Sequence, residues 1–62
     1  MDKTTAINIL LHSAKDWSKK CAICNHLHNV YKLSWYALSG ENGVKNALMA
    51  LSVSQLNELL TI

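Results

Sequence analysis

The apolar residues near the start of the chain recur at the spacing of one helical face. The i, i+3, i+4, i+7 pattern is formed by Ile7, Leu10, Leu11 and Ala14. Thr4 or Thr5 is expected to cap this helix, because threonine side chains accept hydrogen bonds from the first free backbone N–H groups. The pattern therefore predicts a short first helix that ends near Ser13.

A longer pattern follows, in which residues are spaced alternately by four and by three: Trp17, Cys21, Cys24, His28, Tyr31, Trp35 and Leu38. This spacing predicts one long helix with an apolar seam, which we expect to run to about Ser39 and to stop at a left-handed Gly40. If the first helix continued into it, the two apolar faces would be offset by about 120°. A break is therefore expected between Ser13 and Asp16, where Ser13-x-x-Asp16 fits a capping box.

The last third of the chain predicts two further short helices. One carries an apolar face made of Val44, Ala47, Leu48 and Leu51. The other begins at the capping box Ser52-Val53-Ser54-Gln55 and directs three leucines into the core: Leu56, Leu59 and Leu60. The predicted fold is all-α: a small helical bundle in which three short helices pack against one long central helix, as a single domain over residues 1–62.

Composition narrows the class of protein. Half of the residues are hydrophobic and 16% are charged, which is typical of a globular chain. No apolar run approaches the roughly 18 residues that a membrane span needs, so we expect no membrane association. Two cysteines without an export signal indicate a reducing, cytoplasmic setting.

The side of the long helix that faces away from the seam also carries apolar residues. Ala22, Leu33 and Tyr36 lie there, and three short helices can hardly cover both sides of a long one. We therefore predict a second contact surface, with Trp35 and Tyr36 as aromatic anchors, that binds either a second copy of the chain or a protein partner. The alternative is that these are isolated exposed apolar residues of the ordinary kind.

Nucleic-acid binding is an alternative function. The net charge is +2, and all six basic residues are lysines. Lysine attracts phosphate without reading sequence, and Lys15, Lys19 and Lys20 on the long helix are the candidate contacts. A solvated helical segment explains the same three residues.

Zinc binding is a further alternative. Cys21 and Cys24, at i and i+3, and His28, four residues further on, are candidate ligands. Three ligands on one helix strain a tetrahedral site, and the chain lacks a second ligand pair. Small buried apolar cysteines are the competing interpretation.

No catalytic arrangement is recognisable, so we expect neither an enzyme nor a cofactor. None of the four acidic residues is paired at a spacing that suits general acid–base chemistry, and no glycine-rich phosphate loop is present. The sequence instead predicts a small non-enzymatic interaction module. It is expected to act as a regulator or inhibitor through protein–protein binding, and to form a homodimer.

Overall fold

The computed structural model describes residues 2–62, which form five helices and no strand. In chain order these are α1 (Lys3–Ser13), α2 (Trp17–Asn29), α3 (Trp35–Ser39), α4 (Gly43–Met49) and α5 (Val53–Leu60). The predicted all-α class is confirmed. None of these helices has the length and apolar character required to cross a membrane.

The core forms where α1, α4 and α5 meet. Helix α1 packs closely against α5 and α4, and α3 packs closely against α4. The buried side chains are Ala6, Ile7, Leu10, Ile23, Leu27, Leu38, Leu48, Leu51, Leu56 and Leu59. Each fully buried leucine contributes about 1.5–3 kcal/mol relative to an exposed one. The apolar faces predicted for α1, α4 and α5 therefore supply most of the core.

The helix N-termini test the predicted caps. The Asp2 carboxylate, not Thr4 or Thr5, caps α1 and accepts a 2.9 Å hydrogen bond from the Thr5 backbone N–H. At α5 the predicted capping box is confirmed, because Ser52 and Gln55 exchange hydrogen bonds between side chain and backbone. In both α1 and α5, the capping side chain therefore accepts a hydrogen bond from the backbone N–H three residues further along the chain.

The predicted break between the first two helices is confirmed, but its capping is not. Ser13 is the last residue of α1, and Asp16 is the N-cap of α2 without making a side-chain capping hydrogen bond. The Ser13-x-x-Asp16 capping box is therefore wrong. The break nevertheless occurs where the two apolar faces fall out of phase.

The single long helix is wrong, because α2 ends at Asn29 and α3 begins only at Trp35. Lys32 adopts a left-handed backbone conformation, with φ of 62°. The Leu33 N–H then donates to the Leu27 carbonyl, six residues earlier, at 3.2 Å, so the chain turns back on the last turn of α2 instead of continuing the helix. Ser34 begins α3 by accepting a 3.1 Å hydrogen bond from the Ala37 N–H.

Shortening α2 also changes which of its residues are buried. Ile23 and Leu27 enter the core, whereas Trp17 of the predicted seam is 73% exposed. Gly40 ends α3 in an extended conformation, with φ of −71° and ψ of 169°, and not in the predicted left-handed one. Residues 2–62 therefore contain five helices instead of the predicted four, and none of them is a long central helix.

The left-handed residue at the end of α2 leads to a stability prediction. Lys32→Gly is expected to raise the free energy of unfolding by about 1 kcal/mol, because a side chain at positive φ strains the backbone and glycine does not. Urea denaturation measures this change. Lys20→Gly, inside α2, is the matched control and should lower stability by about 0.5–1 kcal/mol. Equal signs for the two variants would contradict the assigned helix end.

Candidate docking groove

A groove of about 290 Å³ lies between α2 and α3, which are not closely packed against each other. We call it the α2–α3 groove. Its lining consists of Trp17, Lys20, Cys21, Cys24, Asn25, Trp35, Leu38 and Ser39. Both tryptophans and both cysteines of the chain therefore lie in this one groove.

Trp35, on the α3 side of the groove, is fixed to α2 through His28. The Trp35 indole stacks on the His28 ring, with centroids 4.1 Å apart and an interplanar angle of 18°. His28 Nδ1 lies 2.8 Å from the Leu33 carbonyl oxygen, so Nδ1 carries the hydrogen and donates it. His28 thereby ties the turn after α2 to the first residue of α3. Trp35 nevertheless remains 49% exposed.

Trp17, the second tryptophan of the groove, is more exposed than Trp35. Trp17 is largely exposed, and the Lys20 ammonium group lies 6.0 Å from the centre of its ring. This distance is at the outer limit of a cation–π contact. Lys20 is also the single charged residue in the lining of the groove. The open side of the α2–α3 groove is therefore aromatic and positively charged.

The two cysteines complete the groove on the α2 side. Both are free thiols and partly buried. Burial raises the pKa of the Cys24 thiol and outweighs the opposing attraction of Lys20. Cys24 is therefore a neutral thiol at pH 7 and behaves as a small apolar group. The surface between the tryptophans suits an apolar side chain better than an ion.

Comparisons of this chain with known protein families, with curated proteins and with solved structures found no match.

The candidate zinc ligands do not come together. Cys21 and Cys24 line the groove, but His28 does not, because its ring is stacked on Trp35 and its Nδ1 is engaged by Leu33. Among residues 2–62, no three His, Cys, Asp or Glu side chains are grouped so that they could hold a metal ion.

The predicted contact surface is divided, because its residues no longer share one helix. Ala22 is exposed and lines a separate depression of about 110 Å³ beside α1 and α5. Leu33 is partly buried against the core. Trp35 lines the α2–α3 groove, and Tyr36 is 90% exposed next to it. Only Trp35 and Tyr36 of the four predicted residues lie side by side in the chain.

Trp17 is the site residue that the spacing argument placed wrongly, in the core seam. A signal for its exposure is nevertheless present in the sequence. Trp17 follows Asp16 and precedes Ser18, Lys19 and Lys20, so its immediate neighbours are all polar or charged. Polar and charged neighbours of this kind indicate that the first turn of the helix faces solvent.

The candidate nucleic-acid contacts lie at the same end of α2. Lys15, Lys19 and Lys20 are all exposed. None of the three lysines forms a salt bridge within residues 2–62, and the exposed carboxylate of Asp16 lies between Lys15 and Lys19 in the chain. The three lysines give the end of α2 a positive charge that adjoins the groove.

A polar cluster fixes the other end of α2 to α5. The Tyr31 hydroxyl donates a 2.7 Å hydrogen bond to Glu58 Oε2, and His26 Nε2 lies 3.5 Å from Glu58 Oε1. The His26 and Tyr31 rings also meet edge to face, with centroids 5.2 Å apart. This cluster therefore attaches the C-terminal end of α2 to α5, on residues that do not line the α2–α3 groove.

The cluster gives a pH prediction. Burial, followed by the hydrogen bond to Glu58 and its charge, raises the pKa of Tyr31 from 10.0 to about 12. The protonated phenol therefore contributes stability that is complete below pH 10 and is lost as the pH rises through about 12. We expect the free energy of unfolding to fall more steeply between these two pH values in the wild type than in Tyr31→Phe.

An ultraviolet titration of tyrosinate checks the assignment directly. Tyr31→Phe should remove a component centred near pH 12, and Tyr36→Phe should leave that component in place. If both variants retained it, Tyr31 would not be the group that titrates there.

Proposed function

We propose that this chain is a small cytoplasmic, non-enzymatic interaction module that regulates or inhibits another protein by binding it through the α2–α3 groove. The observation that carries the proposal is the pair of exposed tryptophans, one from each helix, at a groove that residues 2–62 leave unfilled. Tryptophan is enriched among the residues that dominate the energy of protein interfaces.

The chemistry of the groove supports binding rather than catalysis. Its polar groups are Lys20, Asn25 and Ser39, together with thiols of which Cys24 is neutral at pH 7. No carboxylate or imidazole lines it that would serve as a general base for these groups. The lining therefore offers an apolar contact surface with one cation at its edge.

Site-specific photo-crosslinking in the cells that produce the protein tests the proposal. A photoreactive benzoylphenylalanine at position 25 lies in the groove, and the same group at position 57 lies on an exposed part of α5. We expect a discrete protein adduct from position 25, lost in Trp35→Ala and absent from position 57. If neither position gave an adduct, or if both gave the same adducts, the proposal would be wrong.

The proposal extends to self-association. Tyr36 is exposed beside the groove without lining it, and a 62-residue chain gains stability when a second copy covers apolar surface. We expect light scattering coupled to size exclusion to give a dimer at micromolar concentration, and Tyr36→Glu to give a monomer. A wild type that is monomeric throughout the concentration series would exclude the homodimer.

The second candidate function is nucleic-acid binding, which the exposed lysines at the start of α2 favour, since none of them forms a salt bridge within residues 2–62. It predicts DNA affinity that falls steeply as salt is added. Replacing Lys19 and Lys20 by glutamate should then weaken binding. A lack of DNA binding at low salt would remove this candidate.

A further inference from the structure

We infer that the occupant of the α2–α3 groove is an acidic amphipathic helix of a partner protein, with an apolar side chain inserted between Trp17 and Trp35 and a carboxylate against Lys20. This inference rests on the proposed function and adds the chemistry of the partner to it.

The size of the groove favours a side-chain anchor. Its volume of about 290 Å³ lies just below the roughly 300–1,000 Å³ of ligand pockets, which suits one side chain better than a whole ligand. Its lining residues are spread along both α2 and α3, so the apolar face of a third helix can lie across the open side while one of its side chains enters the groove. An amphipathic helix binds such a groove through apolar side chains spaced at i, i+3, i+4 and i+7.

The surface between the tryptophans decides what kind of anchor fits. Neutral Cys24 and the apolar Leu38 line it together with the indole of Trp35, whose position is fixed by the His28 stack. An aliphatic or aromatic side chain inserted beside Cys24, Leu38 and Trp35 meets mainly apolar groups, whereas an ion would lose its hydration there. The groove therefore matches the apolar face of a helix.

Charge decides between a partner and a second copy. Lys20 is the one charge of the lining, and Lys15 and Lys19 at the same end of α2 are exposed. A symmetric dimer built on this groove would bring the lysine-bearing surface of both copies into one interface, which concentrates like charge there. A helix that carries Asp or Glu beside its apolar face instead meets these lysines with opposite charge.

The test uses two synthetic amphipathic peptides. They share leucines at i, i+3, i+4 and i+7 and carry either glutamate or lysine at the remaining positions. Because both tryptophans and both cysteines line the groove, tryptophan fluorescence and the alkylation rate of the thiols each report its occupancy. We expect the glutamate peptide to change the fluorescence and slow alkylation, and the lysine peptide to do neither.

Charge reversal locates the contact. Lys20→Glu should weaken the glutamate peptide by roughly tenfold and strengthen the lysine peptide. Lys45→Glu, the same change on exposed α4 surface, is the matched control and should leave both affinities unchanged. Trp35→Ala should abolish the fluorescence change and the thiol protection by either peptide.

Several outcomes overturn the inference. The inference is wrong if neither peptide binds, if both bind equally, or if Lys20→Glu and Lys45→Glu have equal effects. It is also wrong if a DNA oligonucleotide protects the thiols, or if the thiols become protected when the concentration of the protein alone is raised. A protein adduct from position 25 together with any of these results would leave the proposed function standing and reject the acidic helix. The absence of any adduct would instead reject the proposed function.

Discussion

Leu27→Ala is expected to lower the free energy of unfolding by about 2–5 kcal/mol. Leu27 is fully buried and is, with Ile23, one of two buried residues of α2, so its removal leaves a cavity where that helix meets the core. A domain of this length has a total stability of roughly 3–9 kcal/mol. The variant is therefore expected to lose a large share of the total stability, as measured by circular dichroism and urea denaturation.

The matched control is Met49→Ala, which removes a side chain of similar size from the exposed surface of α4. It should change stability by no more than about 0.5 kcal/mol. If Leu27→Ala is too unstable to measure, Leu27→Val should give a smaller loss in the same direction. A Leu27→Ala variant as stable as Met49→Ala would show that α2 is not anchored through Leu27.

Sequence could predict the helices whose apolar periodicity matches a buried face, and it predicted the start of a helix correctly where the cap agreed with that periodicity. In α5, Ser52 and Gln55 mark the start, and Leu56 and Leu59 recur on the buried face, so both signals give the same helix. In α1 the periodicity of Ile7 and Leu10 was sufficient, although the cap proved to be Asp2. Local rules predict an element well when two of them coincide.

The end of α2 could not be predicted in the same way, because the apolar spacing continues across it. Tyr31 and Trp35 keep the helical interval, and no glycine or proline interrupts residues 30–34. The left-handed position is occupied by Lys32, a residue that rarely adopts it. Tertiary contacts of Leu33 and Tyr31 with the core and with α5 stabilise the turn, and a single-helix pattern does not contain them.

The candidate site depends on this missed turn. On one continuous helix, Trp17 and Trp35 would be separated along the axis by about 27 Å, at 1.5 Å per residue. The break folds α3 back, so that both tryptophans line one groove. Trp35 is recognisable as an anchor from its residue type, because aromatic residues favour interfaces. Its pairing with Trp17 depends on the turn, which the apolar spacing does not predict.

Gly43→Ala is expected to lower the free energy of unfolding by roughly 1–3 kcal/mol, although glycine-to-alanine changes in helices usually stabilise. A Cβ atom at Gly43 would lie 2.6 Å from the Ala37 carbonyl oxygen and 2.7 Å from the carbonyl carbon and oxygen of Leu38. These are backbone atoms, which cannot rotate away. The first turn of α4 would therefore have to move off α3.

Gly40→Ala is the matched control three residues earlier, and it should have the opposite sign. Gly40 already has dihedral angles that alanine adopts, and the nearest atom to an added Cβ is 4.0 Å away. Alanine there restricts the unfolded chain and should raise stability by about 0.4–1 kcal/mol. Since α3 carries Trp35, Gly43→Ala should also expose Cys21 and Cys24 to faster alkylation than in Gly40→Ala. Equal stability of the two variants would mean that α4 does not pack against the backbone of α3 at Gly43.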